Sequence, residues 1–416
     1  QAQPYANALV ETDPFCRANQ RLRLQTRNGT EIFRDTPQIG PDYDARDFAE
    51  MLDRVDVPTF ALLQDQDEQT SSYAMLDVAR LTSRNPRAWV TLTPGRHVDA
   101  VSPDTVVDVF QFLDLYVARR TPEIKFLVPL VSEFIWGGPT SFRLPSLIGL
   151  PRWEAQRRWE QRPQFTYRVE RPTADGTRWG FTSSSYPAAG ARTTTWYLTP
   201  DGGLSPTTPP TGSANYVSDP ARRPENQSDA SWSTVPDGFG AGFVSPAFDQ
   251  DTVVSGPVGA DVWVSSTAST TDLQVTVSEV RADGQEQFVS TGVQRATYRT
   301  VRNADPLRPD IDFSSATPLE PGANRVRVQV LPFTHAFRAG SRLRVVVGPV
   351  GGDRQAWRFI TPDSEQRPTN TVLLGGPTPS SVSFAVVPGV QPPAGLPACP
   401  GIAQPCRPFV PLANGG

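Results

Sequence analysis

The chain has 416 residues, with 39 Lys+Arg against 43 Asp+Glu for a formal charge of −4, and is 38% hydrophobic and 20% charged. That length favours two or three domains, and the mixed composition excludes a disordered chain. The slightly acidic balance excludes a broad basic surface for nucleic acid. No apolar run approaches the roughly 20 residues of a membrane span.

The chain begins Gln-Ala-Gln, with no initiator Met and no signal-peptide pattern, and is expected to be a processed or truncated product. It holds 43 Pro, and a single Lys (Lys125) against 38 Arg. Pro at that density interrupts helices and favours edge strands and long connections. Residues 1–44 are expected to form a linker segment. From residue 45 the pattern is α/β. Asp44 is placed to cap a helix whose face is Phe48, Met51, Leu52 and Val55. VPTFALLQ (Val57 to Gln64) reads as a strand buried on both faces. Thr70 or Ser71 caps a second helix through Met75, Leu76, Ala79 and Leu81. RAWVTLTPG (Arg87 to Gly95) is the next strand. Ser102-Pro103 opens a third helix, with Val106, Phe110, Leu113, Tyr116 and Val117 at helical spacing. Helices alternating with strands are the signature of a parallel sheet.

After Arg120 the character changes. FLVPLVSEFIWGG reads as a strand pair broken by Pro, followed by a loop with a short helix from Trp153 to Trp159. From Phe165 the chain is mostly alternating β segments punctuated by Asp-Gly, Pro-Gly and Gly-Pro turns, which predicts a two-sheet sandwich or jelly roll. Residues 205–240 read as a long excursion. The expected divisions are therefore 1–44, 45–125 (α/β), 126–395 (jelly-roll β-sandwich) and 396–416, a Pro-rich tail. In that tail, CPGIAQPC sets Cys399 and Cys406 close enough to close a small disulfide loop. The alternative is two free thiols in a loose tail. A disulfide there implies a secreted or cell-envelope setting. Cys16 is then left over, either buried and inert or paired outside the chain.

Only two histidines occur. His97 directly follows a strand of the α/β segment, where open sheets place catalytic groups. About thirty residues earlier the preceding strand ends in Asp65-Gln66-Asp67-Glu68. A lone His reads as a capping or structural residue, and an acidic cluster as a solvated loop. At the ends of adjacent parallel strands, the two read as the acid–base half of a nucleophile–His–acid triad. The cluster lacks the Gly and ligand spacing of a calcium loop, so neither a metal nor a cofactor enters this reading. His335, in PFTHAF, lies in the β region. Trp179, Trp196, Trp232 and Trp263 suggest either carbohydrate stacking or packing. Asn28 and Asn226 begin glycosylation triplets by pattern alone.

The sequence resembles the C-terminal part of the X-Pro dipeptidyl-peptidase and cocaine-esterase-like group of serine hydrolases. VPTFALLQDQDEQT matches the family's acid motif, with Asp67 aligning best and Asp65 as the alternative, and His97 falls where the family's His follows the next strand. WYLTPDGGLS, VVSGPVGADVWVSSTASTTDLQVTVSEVRADG and PGANRVRVQVLPFTHAFRAGSRLRVVV match stretches of its jelly roll, in order. The resemblance implies the C-terminal portion of an α/β-hydrolase sheet followed by a jelly-roll β-sandwich, with residues 1–44 resembling the end of the family's cap region. It implies Asp67 and His97 as catalytic acid and base, a small ester or peptide substrate, and a structural role for His335. The family's Gly-x-Ser-x-Gly nucleophile elbow does not occur in these 416 residues. The resemblance therefore implies a second polypeptide, or an N-terminal half, carrying that serine. The competing readings are a non-catalytic jelly-roll binding module or a structural component that retains a hydrolase remnant.

Overall fold

The structure is a computed structural model that describes residues 12–22, 38, 40, 47–123, 147–170, 179–222, 232–351 and 361–414. The expected strands within 126–138, Asp44 as a cap, and both glycosylation triplets lie outside those residues. So does most of the 1–44 segment, in which helix α1 (Pro14–Leu22) is described.

Strands β1 (Thr59–Gln64) and β2 (Ala88–Thr93) are parallel and in register, from Thr59 beside Ala88 to Gln64 beside Thr93. β3 (Phe165–Arg168) adds parallel to β2, and β4 (Gly180–Ser183) antiparallel to β3. The boundary expected at residue 125 therefore falls inside a sheet that runs on to Ser183. Its last two strands carry the apolar alternation read as sandwich. Between β1 and β2 lie a 3-10 turn (Ser72–Leu76) and helix α2 (Val78–Arg84). The sequence predicts one continuous helix there. It is broken at Asp77, where Arg308 from the sandwich bonds the Leu76 carbonyl at 2.6 Å and the Asp77 carboxylate at 2.7 Å. After β2 comes α3 (Pro103–Phe112), extended by a wider turn over Leu113–Val117, then α4 (Arg152–Glu160). The first expected helix is only a 3-10 turn, Phe48–Arg54, capped by Asp47.

The two-residue period of the strands sends side chains to two different cores. Phe60 and Trp89 point toward α3 and α4, where they meet Leu115, Ala155 and the fully buried Trp159. Ala61, Leu63, Val90 and Leu92 point the other way, into a core shared with Val253, Ala336 and Val387 of the sandwich. The sheet is thus covered on one face by helices and on the other by the second unit. β2 is buried along its whole length. β1 is half-buried rather than buried on both faces, because among the described residues it pairs with β2 alone and stands at the sheet's edge.

The rest of the chain is mostly strand. In order come β5 (Arg192–Leu198), β6 (Leu204–Ser205), β7 (Gly212–Val217), β8 (Ala241–Val244), β9 (Thr252–Ser266), β10 (Asp272–Val280), β11 (Gln285–Arg295), β12 (Val301–Asn303), β13 (Asp310–Ile311), β14 (Asn324–Phe337), β15 (Arg342–Gly348), helix α5 (Asp363–Gln366), β16 (Thr369–Leu374), β17 (Ser381–Val387) and β18 (Cys406–Pro408). One sheet has the order β18-β11-β10-β15-β8. The other is built on the long β9, with β14 along one edge and β17 and β16 sharing the other. Inward residues of both sheets, among them Val258, Val262, Val275, Val277, Phe333 and Val345, form the main core.

One expectation is corrected here. β7 lies within the predicted excursion. Gly256-Pro257 is the site of a register irregularity inside β9, opposite β14. In the tail, β18 closes the free edge of β11, and Cys399 and Cys406 form the expected disulfide with Cα atoms 5.8 Å apart. Cys16 is half-buried and forms no disulfide within the chain. Of the four Trp, Trp179 and Trp196 pack against the cores and Trp232 is buried beneath the Arg407 guanidinium, 3.4 Å from its ring centre. Trp263 lines an outward cleft of about 400 Å³.

Trp159 packs against Phe60, Trp89 and Phe112, with ring centres 5.6–5.9 Å away. Trp159→Ala is expected to lower unfolding stability by about 3–5 kcal/mol, read as a fall in the urea midpoint.

Candidate active site

Parallel in-register strands end side by side, so whatever follows β1 meets whatever follows β2. The ladder continues past both strands, with Asp65 N–H donating to Thr93 O at 2.9 Å and Gln66 N–H to Gly95 O at 3.1 Å. The chain then turns at Asp67 on one side and at His97 on the other.

Asp67 is held by four donors. Its Oδ1 accepts the backbone N–H groups of Gln69 and Thr70, each at 2.8 Å. Its Oδ2 accepts the Thr70 hydroxyl at 2.8 Å and pairs with His97 Nδ1 at 2.8 Å. The carboxylate is almost enclosed, its side chain 6% exposed, whereas the His97 side chain is 47% exposed. The His97 backbone N–H donates to Glu68 Oε2 at 3.0 Å. Among the described residues no hydrogen bond to His97 Nε2 is present, and the ring is half-exposed.

His97 begins a 3-10 turn, His97–Val101, entered through Gly95. Gly95 has φ +145°, and a Cβ there would lie 2.8 Å from Asp99 Cβ. Only glycine meets both conditions. Asp99 closes the turn by accepting the Arg96 N–H at 2.7 Å.

The charges of the pair support one another. Burial alone would raise the Asp67 carboxyl, but the bonds from Thr70, His97 and Gln69 outweigh it and hold the group below the usual carboxylate range. The hydrogen bond to Asp67, and then its charge, raise the His97 imidazole above its ordinary value; partial burial opposes this and Glu68 adds to it. The arrangement fixes the ring orientation and, with Nδ1 facing a carboxylate, makes Nε2 the nitrogen that exchanges a proton.

The sequence-predicted residues are thus brought together as Asp67 with His97. Asp65, the alternative acid, points instead into the sandwich and accepts the Thr334 N–H at 3.0 Å. The three carboxylates of the cluster diverge, to Thr334, His97 Nδ1 and the His97 backbone, and do not converge on one point. His335 also pairs with a carboxylate, Glu279, at 2.9 Å, but both side chains are sealed at 6% and 1% exposure. Sequence reasoning missed Thr70, which serves the acid rather than a helix; Ser71 takes the cap. It also missed Glu68 and Gln66, whose roles depend on the neighbouring strand.

Residues 157–383 match the X-Pro dipeptidyl-peptidase C-terminal non-catalytic domain. The chain belongs to this family. The family is one of hydrolases, and Asp67 and His97 lie ahead of the matched residues. No curated protein matches the chain. Among solved structures it is similar to a CocE/NonD family hydrolase from Staphylococcus aureus, at 16% identity and TM-score 0.64 over 87% of this chain and 59% of that one. It is similar to an aminopeptidase from a marine-sediment Thaumarchaeota archaeon, at 16% identity and TM-score 0.59 over 93% of this chain and 64% of that one. An alpha-amino acid ester hydrolase matches at 17% identity and TM-score 0.61 over 88% and 62%. The chain thus spans about three fifths of the length of these structures. The shared fold is the C-terminal portion of an α/β-hydrolase sheet followed by a jelly-roll β-sandwich.

The pair's contribution to stability has a defined pH window. His97 is raised in the fold, so its share is full below about pH 6.5 and fades as pH rises through its folded value. Asp67 is depressed, so its share is present above about pH 3.9 and fades as pH falls through its folded value. The stability difference between the unchanged chain and His97→Ala is therefore expected to be larger near about pH 5.5 than near about pH 9, measured by urea unfolding at both.

Proposed function

We propose that the chain forms part of a serine hydrolase, supplying the acid and base of a Ser-His-Asp triad whose serine lies outside these 416 residues. The observation that carries the reading is the 2.8 Å bond between His97 Nδ1 and Asp67 Oδ2 on a half-exposed ring, beyond the C-terminal ends of β1 and β2. Family membership and the hydrolase fold support it.

In the proposed cycle a serine Oγ attacks the carbonyl carbon of an ester or amide. His97 Nε2 takes the hydroxyl proton, and Asp67 holds the imidazolium. The proton passes to the leaving alcohol or amine as the acyl bond breaks. Water then attacks the acyl-serine, again giving its proton to His97, and the acid product leaves. The substrate class is a small ester or peptide; proline-specific peptidase, esterase and acylase activities all fit this chemistry. The serine arrives on a strand–turn–helix elbow beside the edge of β1, from a second polypeptide or an N-terminal half. The Cys399–Cys406 disulfide supports a secreted or cell-envelope setting. A purely structural remnant has no use for a histidine held by a four-donor carboxylate and left open to solvent.

The chain alone is expected to be inactive toward p-nitrophenyl esters and unlabelled by a fluorophosphonate. Joined with a polypeptide bearing the Gly-x-Ser-x-Gly elbow, it should gain both. There, Asp67→Asn should lower kcat by about 10⁴-fold. The acidic limb of the kcat/KM profile should have its midpoint above about pH 6.5, because the base must be neutral to accept a proton. Labelling of a serine within the 416 residues, with no partner present, would overturn the assignment.

A further inference from the structure

The two units meet at an unusual place in the sandwich. β10 and β11 pair Val277 with Ser290 and then Ser278 with Phe288, which leaves Val289 without an opposite residue. β14 and β9 pair Val330 with Val258 and then Phe333 with Gly256, which leaves Leu331 and Pro332 facing Pro257 alone. Both are β-bulges, where backbone groups drop out of the ladder and become free to bond elsewhere. They are also neighbours: the Ser290 hydroxyl donates to Leu331 O at 2.8 Å.

The freed groups are taken up by the acid turn. Gln66 Nε2 donates to Val289 O at 2.9 Å, and the Ser72 hydroxyl donates to Pro332 O at 3.0 Å. Just beyond the second bulge, Thr334 N–H donates to Asp65 Oδ2. Gln66 has a second bond on its other side, where Oε1 accepts the Gly95 N–H at 3.0 Å. Its side chain is buried, so neither bond competes with solvent. One amide therefore ties three segments together: the turn that carries Asp67, the turn that carries His97, and the sandwich.

We propose that Gln66, seated on the paired bulges at Val289 and Leu331–Pro332, is a positioning residue that sets the Asp67–His97 distance, so that the sandwich aligns the pair without touching substrate. The inference rests on the triad reading above. A misalignment of about 1 Å in such a pair is enough to cost catalysis about a hundredfold, so a buried clamp on both turns has a function beyond holding the units together.

The test uses the whole chain labelled with ¹³C at histidine Cε1. Its two histidines give two ring signals, and the sealed His335 reports on the intact sandwich. The charges facing the His97 ring are Asp67 and Glu68; on its own turn Arg96 lies 3.7 Å from Asp99. In the unchanged chain His97 should titrate above about 6.5. In Gln66→Met, which keeps length but loses both bonds, the His97 midpoint should fall back toward about 6.5 while the His335 signal keeps its position. Arg308→Ala weakens the same interface away from the turn and should leave His97 unmoved. Should the methionine variant unfold, Gln66→Asn serves instead: it adds no charge, but its shorter amide cannot reach both Gly95 N–H and Val289 O, and a smaller fall is expected. A raised His97 midpoint that is identical in the folded Gln66 variants would overturn the inference and leave the pair standing. An ordinary midpoint in the unchanged chain would overturn the triad reading itself, and the inference with it.

Discussion

The structure depends on one constraint, the parallel in-register pairing of β1 with β2. In parallel pairing the carboxyl ends of both strands lie at the same edge, so residues about thirty positions apart become neighbours with no loop reaching across the sheet. Asp67 stands three residues beyond β1 and His97 four beyond β2. A one-residue slip of β1 against β2 would turn Phe60 toward the sandwich and Leu63 toward the helices, while Trp89 and Leu92 kept their places. Both faces are buried against differently shaped partners, so the two cores fix the register. The 2.8 Å contact between carboxylate and imidazole is a consequence of that packing.

The chain carries the same chemical pair twice, and access separates the two. His335 and Glu279 are enclosed, with Gln404 of the disulfide loop 3.5 Å from the other ring nitrogen of His335. There the pair links β14, β10 and the tail, and has no face to offer a substrate. His97 has one nitrogen on a buried carboxylate, and its ring is half-exposed. A buried pair contributes to structure only if all its hydrogen-bonding capacity is met. A reactive pair needs one position left open, which is what the half-exposed ring provides.

Much of this was legible in the sequence because it rests on local patterns. Strand alternation, the Ser102-Pro103 helix start and the order of acid and base along the chain are all short-range signals, and they led to Asp67 and His97. What was not legible depended on the second unit. The helix that local spacing predicts is interrupted at Asp77, where Arg308, more than 200 residues away in sequence, bonds the Leu76 carbonyl. β3 and β4 look like sandwich strands, yet they complete the first sheet, since alternation records that a strand is half-buried but not which sheet it joins. Gln66 reads as one polar residue in an acidic run. Its role appears only when Gly95 and Val289 are placed on either side of it.

The edge of β1 is the last consequence of the same packing. Natural edge strands are protected by charge, Pro, bulges or covering segments. β1 reads Thr-Phe-Ala-Leu-Leu-Gln, with no charge and no Pro inside it, and it pairs on only one side among the described residues. It carries Asp67 at its end, so any distortion of this edge is transmitted to the site. A parallel strand added there would satisfy the open backbone groups and place its own carboxyl end beside those of β1 and β2. In the proposed enzyme that is the position from which a nucleophile elbow reaches His97 Nε2. The requirement to cover an apolar edge and the requirement to complete a triad are then met by the same strand.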